Sequence, residues 1–290
     1  MKILKIGTIS KEDKSNMKKI DIPEKSILHD LYVNKSMSLS AIASNFSTTS
    51  MTVRSWLNKL EIEVRPSNIS LYKEIKEVQF SDLQKSIIIG SILGDGCLRI
   101  PKRGKNAYFT EKHCEDQLQY LQWKKDLLKP FASDKVYMSK GGNHVINDVK
   151  CTTQNTHKFS TISHPYLTEL WKKFYNGNGN KVIHYDIESM INIMVIAIWI
   201  CDDGSLVWNN IRRTYRIDLH TENFSYDENV YLCRVLNKFF KGTILVIPRK
   251  YKSGIKYYLS LRGKEHLHAL CKEIKQFVHS SMFYKFDTHI

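Results

Sequence analysis

The strongest constraint on this chain is an internal repeat. Residues 87–181 and 195–285 follow one plan. Each copy opens on an apolar run of helix length that stops at Asp-Gly: IIIGSILGDGCL, ending at Leu98, and VIAIWICDDGSL, ending at Leu206. The isoleucines are explained by burial in any core. An aspartate closing each run is not, because an unpaired buried carboxylate is costly. Thr110-Glu111 and Thr221-Glu222 follow in strand-like segments, and a Tyr-Leu pair (Tyr120-Leu121, Tyr231-Leu232) comes nine residues after each glutamate on an amphipathic helix. More β-type sequence and a further helix come next. Each copy ends at a lysine in a loop, Lys181 and Lys285. Helix, two strands, helix, two strands, helix in each copy, with hairpin spacing, predicts an α+β fold of two pseudo-symmetric αββαββα repeats, assigned to residues 81–185 and 186–290.

The charge narrows the partner. A chain of 290 residues with a formal net charge of +15 and 42% hydrophobic residues has enough apolar material for a core and a surface suited to a polyanion. Its basic residues are spread through folded segments rather than gathered in a tail. Nucleic acid is the first candidate and an anionic membrane the second. The longest apolar stretch, Ile191 to Cys201, is interrupted by Asn192 and is too short to span a bilayer. The opening MKILKIGTISKEDK has no apolar segment of signal-peptide length. The expectation is an intracellular, non-secreted protein with no membrane partner. The six cysteines form no C-x-x-C pair, so no zinc or redox motif is visible, and they read as reduced thiols.

The front of the chain reads differently. Residues 1–20 form a polar, lysine-rich arm. Residues 21–66 carry three short helical patterns: Pro23 at a first helical position, with Ile27, Leu28, Leu31 and Tyr32; Ser38 as a cap before Leu39, Ile42, Ala43 and Phe46; then Val53, Trp56, Leu57 and Leu60. The stretch SLSAIASNFSTTSMTVRSWLNKL resembles a helix-turn-helix DNA-binding unit. The resemblance turns Thr49, Ser50, Thr52, Arg54, Ser55 and Lys59 outward toward phosphates and base edges. Protein contact by a plain three-helix bundle is the alternative. Residues 67–80 read as a linker.

The two Asp-Gly helices resemble those of the LAGLIDADG homing endonucleases, in the monomeric two-motif branch of yeast mitochondrial intron type. The motif positions read Ile88-Ile89-Gly90-Ser91-Ile92-Leu93-Gly94-Asp95-Gly96 and Ile196-Ala197-Ile198-Trp199-Ile200-Cys201-Asp202-Asp203-Gly204. The phrases WICDDGSL, DLHTENFSYDENVYL and HSSMFYKF strengthen the likeness. The resemblance implies motif helices packed side by side at a pseudo-dyad through small residues (Gly90, Gly94, Ala197), with Ile198 a departure from the pattern. It implies two sheets forming a DNA-binding saddle over double-stranded DNA, a long asymmetric site, and a monomer.

The same resemblance assigns chemistry. Asp95 and Asp203 would be the catalytic acids and ligands of Mg2+ (or Mn2+), with the backbone carbonyls of Gly94 and Asp202 as helpers. The Asp202 side chain, aligned with Gly94, would be an exposed or locally capping acid. Lys181 and Lys285 would stabilise phosphate charge or polarise water. Glu111 and Glu222 fall near positions that bind water or a side metal. Arg99, Lys102, Arg103, Lys105, Lys135 and Lys140 in the first copy, and Arg212, Arg213, Arg216, Arg249, Lys250 and Lys252 in the second, suit phosphate and guanine contacts. A site-specific double-strand DNA endonuclease is the leading expectation. An RNA maturase assisting splicing and a non-cutting DNA-binding regulator are the alternatives; the intact acids weigh against the regulator, and the helix-turn-helix favours duplex DNA over folded RNA.

Overall fold

The computed structural model describes residues 21–287 apart from 36, 65–74, 76, 103, 147, 148 and 212, with backbone only for 144–146 and 149–151. The expected arm, most of the expected linker, Arg103 and Arg212 therefore lie outside the described residues. The chain divides into two compact units between residues 71 and 72.

The first unit is a small helical bundle. Helix α1 (Lys25–His29) runs into one wider π turn at Asp30–Asn34, followed by α2 (Leu39–Asn45) and α3 (Ser50–Lys59). Helix α1 starts two residues later than Pro23 suggests, with Glu24 at its N-cap. Ser38 caps α2 as expected, accepting from the Ala41 N–H at 3.1 Å. Leu28, Tyr32, Ile42, Ala43, Val53, Trp56, Leu57 and Ile62 make the core. The turn between α2 and α3 passes through Ser47 at φ 51°.

In the second unit, α4 (Asp82–Leu93) and α8 (Ile193–Asp203) lie side by side at the centre. Both are buried on nearly every side, which is why their sequences show no polar stripe. Ser81 and Gln84 close a capping box on α4, and Asn192 caps α8. Asn192, the polar break in the longest apolar run, also donates to Ser86 Oγ at 2.9 Å and ties the starts of the two helices together. Their far ends also meet, so they run in the same direction and carry Asp95 and Asp203 to one place.

Glycine makes the contact possible. A Cβ on Gly90 would sit 2.7 Å from Ile198 Cβ and from the Val195 carbonyl oxygen; one on Gly94 would sit 2.4 Å from Asp202 Cβ. The bulky Ile198, which departs from the expected small residue, is thus seated against a glycine of the partner helix.

After α4 come β1 (Cys97–Arg99), β2 (Tyr108–Cys114), a 3-10 turn, α5 (Leu118–Leu127), β3 (Tyr137–Ser139), β4 (Gly142–Ile146), β5 (Val149–Thr153), β6 (Thr156–Ser160) and α6 (Pro165–Phe174). The short α7 (Ile187–Met190) precedes α8. Then follow β7 (Gly204–Asn209), β8 (Thr214–Leu219), α9 (Tyr226–Leu236), β9 (Thr243–Tyr251), β10 (Gly254–Arg262), α10 (Lys264–Lys275) and a 3-10 turn at Ser280–Lys285. Two four-stranded antiparallel sheets result, ordered β1-β2-β6-β3 and β7-β8-β10-β9. This is the expected repeat. The first copy carries one addition, the separate β4–β5 hairpin.

Strand register corrects one expected equivalence. Cys97 pairs with Thr110, and Ser205 pairs with Asp218. Cys97 and Ser205 each lie two residues past the motif aspartate, so Thr110 corresponds to Asp218, and Glu111 to Leu219. The next pairing agrees, since Thr110 faces Ser160 and Asp218 faces Ser260. Glu222 lies beyond β8 and is not the counterpart of Glu111.

Candidate active site at the helix pair

A helix C-terminus presents unsatisfied carbonyls and partial negative charge, so ending two helices there with aspartates is unfavourable unless cations are near. Two lysines are. Lys181 Nζ donates to the Gly94 carbonyl at 2.7 Å. Lys285 Nζ donates to the Cys201 carbonyl and, at 3.2 Å, to that of Asp202. The two expected lysines therefore occupy matching places at the two helix ends. Burial lowers the pKa of both, against the attraction of the surrounding aspartates.

Asp95 is exposed, whereas Asp203 is half-buried. Burial, then the charges of Asp95 and Asp202, push Asp203 up to about 7, with Lys181 and Lys285 opposing. Two carboxylates and two ammonium groups thus converge at the paired helix ends, with burial the main cause that disfavours the charged form of Asp203. The site's donors are carboxylate and carbonyl oxygens, the set that hard divalent cations such as magnesium prefer.

Asp202 corrects an expectation. Its side chain is buried, with 8% exposure, rather than exposed or capping. Lys124, from α5 of the first copy, places Nζ 2.7 and 2.9 Å from the two Asp202 oxygens, 2.5 Å from Glu111 Oε1 and 2.8 Å from Ser91 Oγ. Tyr120 OH donates to Asp202 Oδ1 at 2.9 Å. Burial pushes Asp202 up to about 6, with Lys124 opposing. Burial also acts on Glu111, but the Lys124 ammonium and a bond from His113 Nε2 at 2.7 Å outweigh it and hold Glu111 down at about 2. Glu111 Oε2 is buried without a hydrogen-bond partner. Glu111 is therefore part of an internal ion cluster. Asp95, His113 and Asp202 offer ligand atoms within 4.8 Å of one another. However, an ammonium on both Asp202 oxygens opposes a dication there, which leaves Asp95 and Asp203 as the acids open to one.

The sequence pattern of the LAGLIDADG DNA endonuclease family matches residues 85–268, which holds both helices, both sheets and both acids. The chain belongs to this family. Among its relatives, DNA endonuclease I-ChuI of Chlamydomonas applanata is 23% identical over 209 residues, 70% of this chain and 93% of that one. Cytochrome b mRNA maturase bI2 of Debaryomyces hansenii is 25% identical over 224 residues, 77% of each chain. Protein RecA of Mycolicibacterium chitae is 32% identical over 127 residues, 43% of this chain but only 27% of that protein. This LAGLIDADG chain thus matches about a quarter of the length of its RecA relatives. The solved homing endonuclease I-WcaI, bound to its DNA recognition sequence, shares the fold at a TM-score of 0.61 and 21% identity, over 79% of this chain and 96% of that one.

Basic residues expected on the LAGLIDADG sheets fall into two groups. Arg99, Lys102, Lys105, Lys135, Lys140, Arg213, Lys250 and Lys252 are exposed. Arg216 and Arg249 have internal acids: Arg216 Nε donates to Asp218 at 3.0 Å, and Arg249 Nη1 donates to Glu222 at 2.7 Å while lying over the Tyr258 ring. Glu222 thus serves a surface cluster with Arg249 and Tyr251. In the front unit, Arg54, Ser55 and Lys59 are exposed on α3, whereas the Thr49 hydroxyl is engaged in capping α3, accepting from the Thr52 N–H at 3.2 Å. The expectation missed Lys124, His113 and Tyr120. A signal was present: Tyr120, Leu121, Lys124 and Leu128 share one helical face, so Lys124 stands in an apolar stripe. No described helix is long and apolar enough to cross a membrane.

Proposed function

We propose that this chain is a metal-dependent endonuclease that cuts both strands of double-stranded DNA at a long, asymmetric site. One observation carries the proposal: two motif aspartates meet at the paired C-termini of α4 and α8, each with its own lysine on the adjoining carbonyls. Asp95 and Asp203, with the carbonyls of Gly94 and Asp202, would hold Mg2+ or Mn2+. Such an ion supplies an activated water and stabilises charge on the phosphate. Lys181 and Lys285 face the same region and would hold phosphate oxygens or orient a water. Two non-identical halves support an asymmetric sequence, and one chain with both motifs supports a monomer. The exposed basic residues of the two sheets would track phosphates, with Arg54, Ser55 and Lys59 extending the contact. Action on DNA places the protein inside a cell or organelle.

Selection of cleaved sequences from a random duplex library in magnesium tests the proposal and yields the site. Asp95→Asn and Asp203→Asn should each abolish cutting while DNA binding persists; cutting unaffected by either refutes the site. The mRNA maturase among the relatives supports a second reading, assistance of intron splicing. Splicing of a bound intron RNA by a protein that cuts no duplex would favour it.

A further inference from the structure

The repeat makes Asp95 and Asp203 equivalent, but what stands behind them is not. Behind Asp95 a chain of side chains runs into the core. His113 Nδ1 lies 3.7 Å from Asp95 Oδ2 and donates to Gln117 Oε1 at 2.8 Å. Its Nε2 is fixed by Glu111 Oε1, the oxygen that also receives Lys124 Nζ. The Tyr120 ring meets the imidazole edge-on, with centroids 5.5 Å apart. His113, Glu111, Lys124 and Tyr120 are all buried, so the ring plane has little freedom.

The second half has no such chain among the described residues. Continuing the strand register, Leu219 takes the place of Glu111 and Thr221 that of His113. The Thr221 hydroxyl is bonded to Asn229 Oδ1 at 2.5 Å, and Asn229 in turn holds the Phe224 and Ser225 carbonyls. Along α9, the buried residues nearest in position to Lys124 are Leu232 and Val235. His220 is near Asp203, but it reaches it through a backbone N–H to the Asp203 carbonyl; its ring faces Ser205 at 2.9 Å and Glu222 at 3.5 Å.

We propose that His113 is a positioning residue for Asp95, held in place by the Glu111–Lys124 pair, and that Asp203 lacks this support. The proposal rests on the nuclease reading above. A DNA duplex has its own local two-fold axis, so each motif aspartate would lie nearest the scissile phosphate of one strand. Groups that orient a metal-binding carboxylate or imidazole from behind are worth ten- to hundredfold in metal affinity or activity. Supporting one acid only makes the two strand cuts unequal, and a nicked duplex accumulates before the linear product.

The test uses supercoiled DNA carrying the selected site, with each strand's nick read separately. The expected result is that Glu111→Gln and His113→Gln slow one strand, the same in both variants, by about ten- to hundredfold and leave the other within about twofold. Thr221→Val, at the mirror position, should leave the strand ratio unchanged. Equal slowing of both strands, or an unmoved ratio, overturns the proposal. Thermal melting identifies any variant that fails to fold. Mn2+ binding to the DNA-bound protein, followed by electron paramagnetic resonance, gives a readout apart from cutting. Glu111→Gln and His113→Gln should weaken one bound ion and spare the rest; uniform weakening or none overturns the positioning role. A parent chain that binds the duplex but does not cut it rejects the nuclease reading, and Mn2+ binding then decides the role of His113 by itself.

Discussion

Replacing Lys124 with methionine should be among the most damaging single changes in the second unit. Methionine matches the length of the stem but removes the ammonium that lies within 2.9 Å of Glu111 and of both Asp202 oxygens. The intact cluster adds little net stability, because taking three charges out of water offsets most of their attraction. Breaking it is different, since two carboxylates are left buried without their cation. Removing one partner of a buried pair costs about 3–5 kcal/mol, and at about 2–4 °C per kcal/mol the melting temperature should fall by roughly 6–20 °C. The loss should depend on pH. Without Lys124, Glu111 titrates above its unfolded value and Asp202, already raised to about 6, goes further in the same direction, so the variant regains more stability than the parent as pH falls and both become neutral. The parent loses the contribution of Glu111, which sits at about 2 when folded, only below its unfolded value. Denaturant titration at pH 8 and pH 5.5 should therefore show a larger deficit at pH 8. Lys124→Met/Glu111→Gln/Asp202→Asn, which has no buried charge here, should recover most of the loss. A deficit below about 1 kcal/mol, or a triple variant no more stable than the single one, would refute the reasoning.

Further outcomes follow from the same geometry. Asp203 is raised to about 7 in the metal-free site, so its contribution is fully present below its unfolded value near 4 and is lost as pH rises toward 7; Asp203→Asn should stabilise the metal-free protein at pH 8 and lose that advantage by pH 4 in melting curves. Gly90→Ala should destabilise by about 1–3 kcal/mol or more, because its Cβ would meet Ile198 Cβ and the Val195 carbonyl; unchanged stability would mean that the helices separate freely. Duplex affinity should fall about 10³- to 10⁵-fold between 50 and 200 mM salt, the response expected for six to ten neutralised phosphates, and a flat response in fluorescence anisotropy would remove the basic sheets as the contact surface. Deleting residues 1–66 should weaken binding and leave cutting by the second unit intact, as judged by Kd against the single-turnover rate.

The repeat, the acids and the paired lysines were legible because each is local. An apolar run ending in Asp-Gly is visible in a dozen residues, and Lys181 and Lys285 close matching segments. The equivalence of Glu111 and Glu222 failed for a physical reason. Register is set by hydrogen bonds across the sheet, where Cys97–Thr110 and Ser205–Asp218 span equal lengths of chain; the second copy is longer only between β8 and the helix that follows, so equal spacing between glutamate and Tyr-Leu pair misaligned the halves. Asp202 was misjudged because its partner lies 78 residues away in the other half. Lys124 drew no notice among 44 lysines and arginines, although its place on an apolar helical face marked it. Among the described residues the β4–β5 hairpin has no counterpart in the second copy, and the repeat pattern alone gave no reason to expect it.

The helix pair also has a polarity of its own. In both tight crossings the notch comes from α4, at Gly90 and Gly94, and the knob from α8, at Ile198 and Asp202. Two copies of α4 would set glycine against glycine at a closer approach; two copies of α8 would set Ile198 against Ile198 and bury two Asp202 carboxylates with no Lys124 between them. The halves of this duplicated chain have become lock and key for each other. The spacing seen here therefore suits the unlike pair, and a symmetric pair of either half would need a different helix separation. Anyone recombining such halves to build a new specificity must move α4 and α8 as a matched couple.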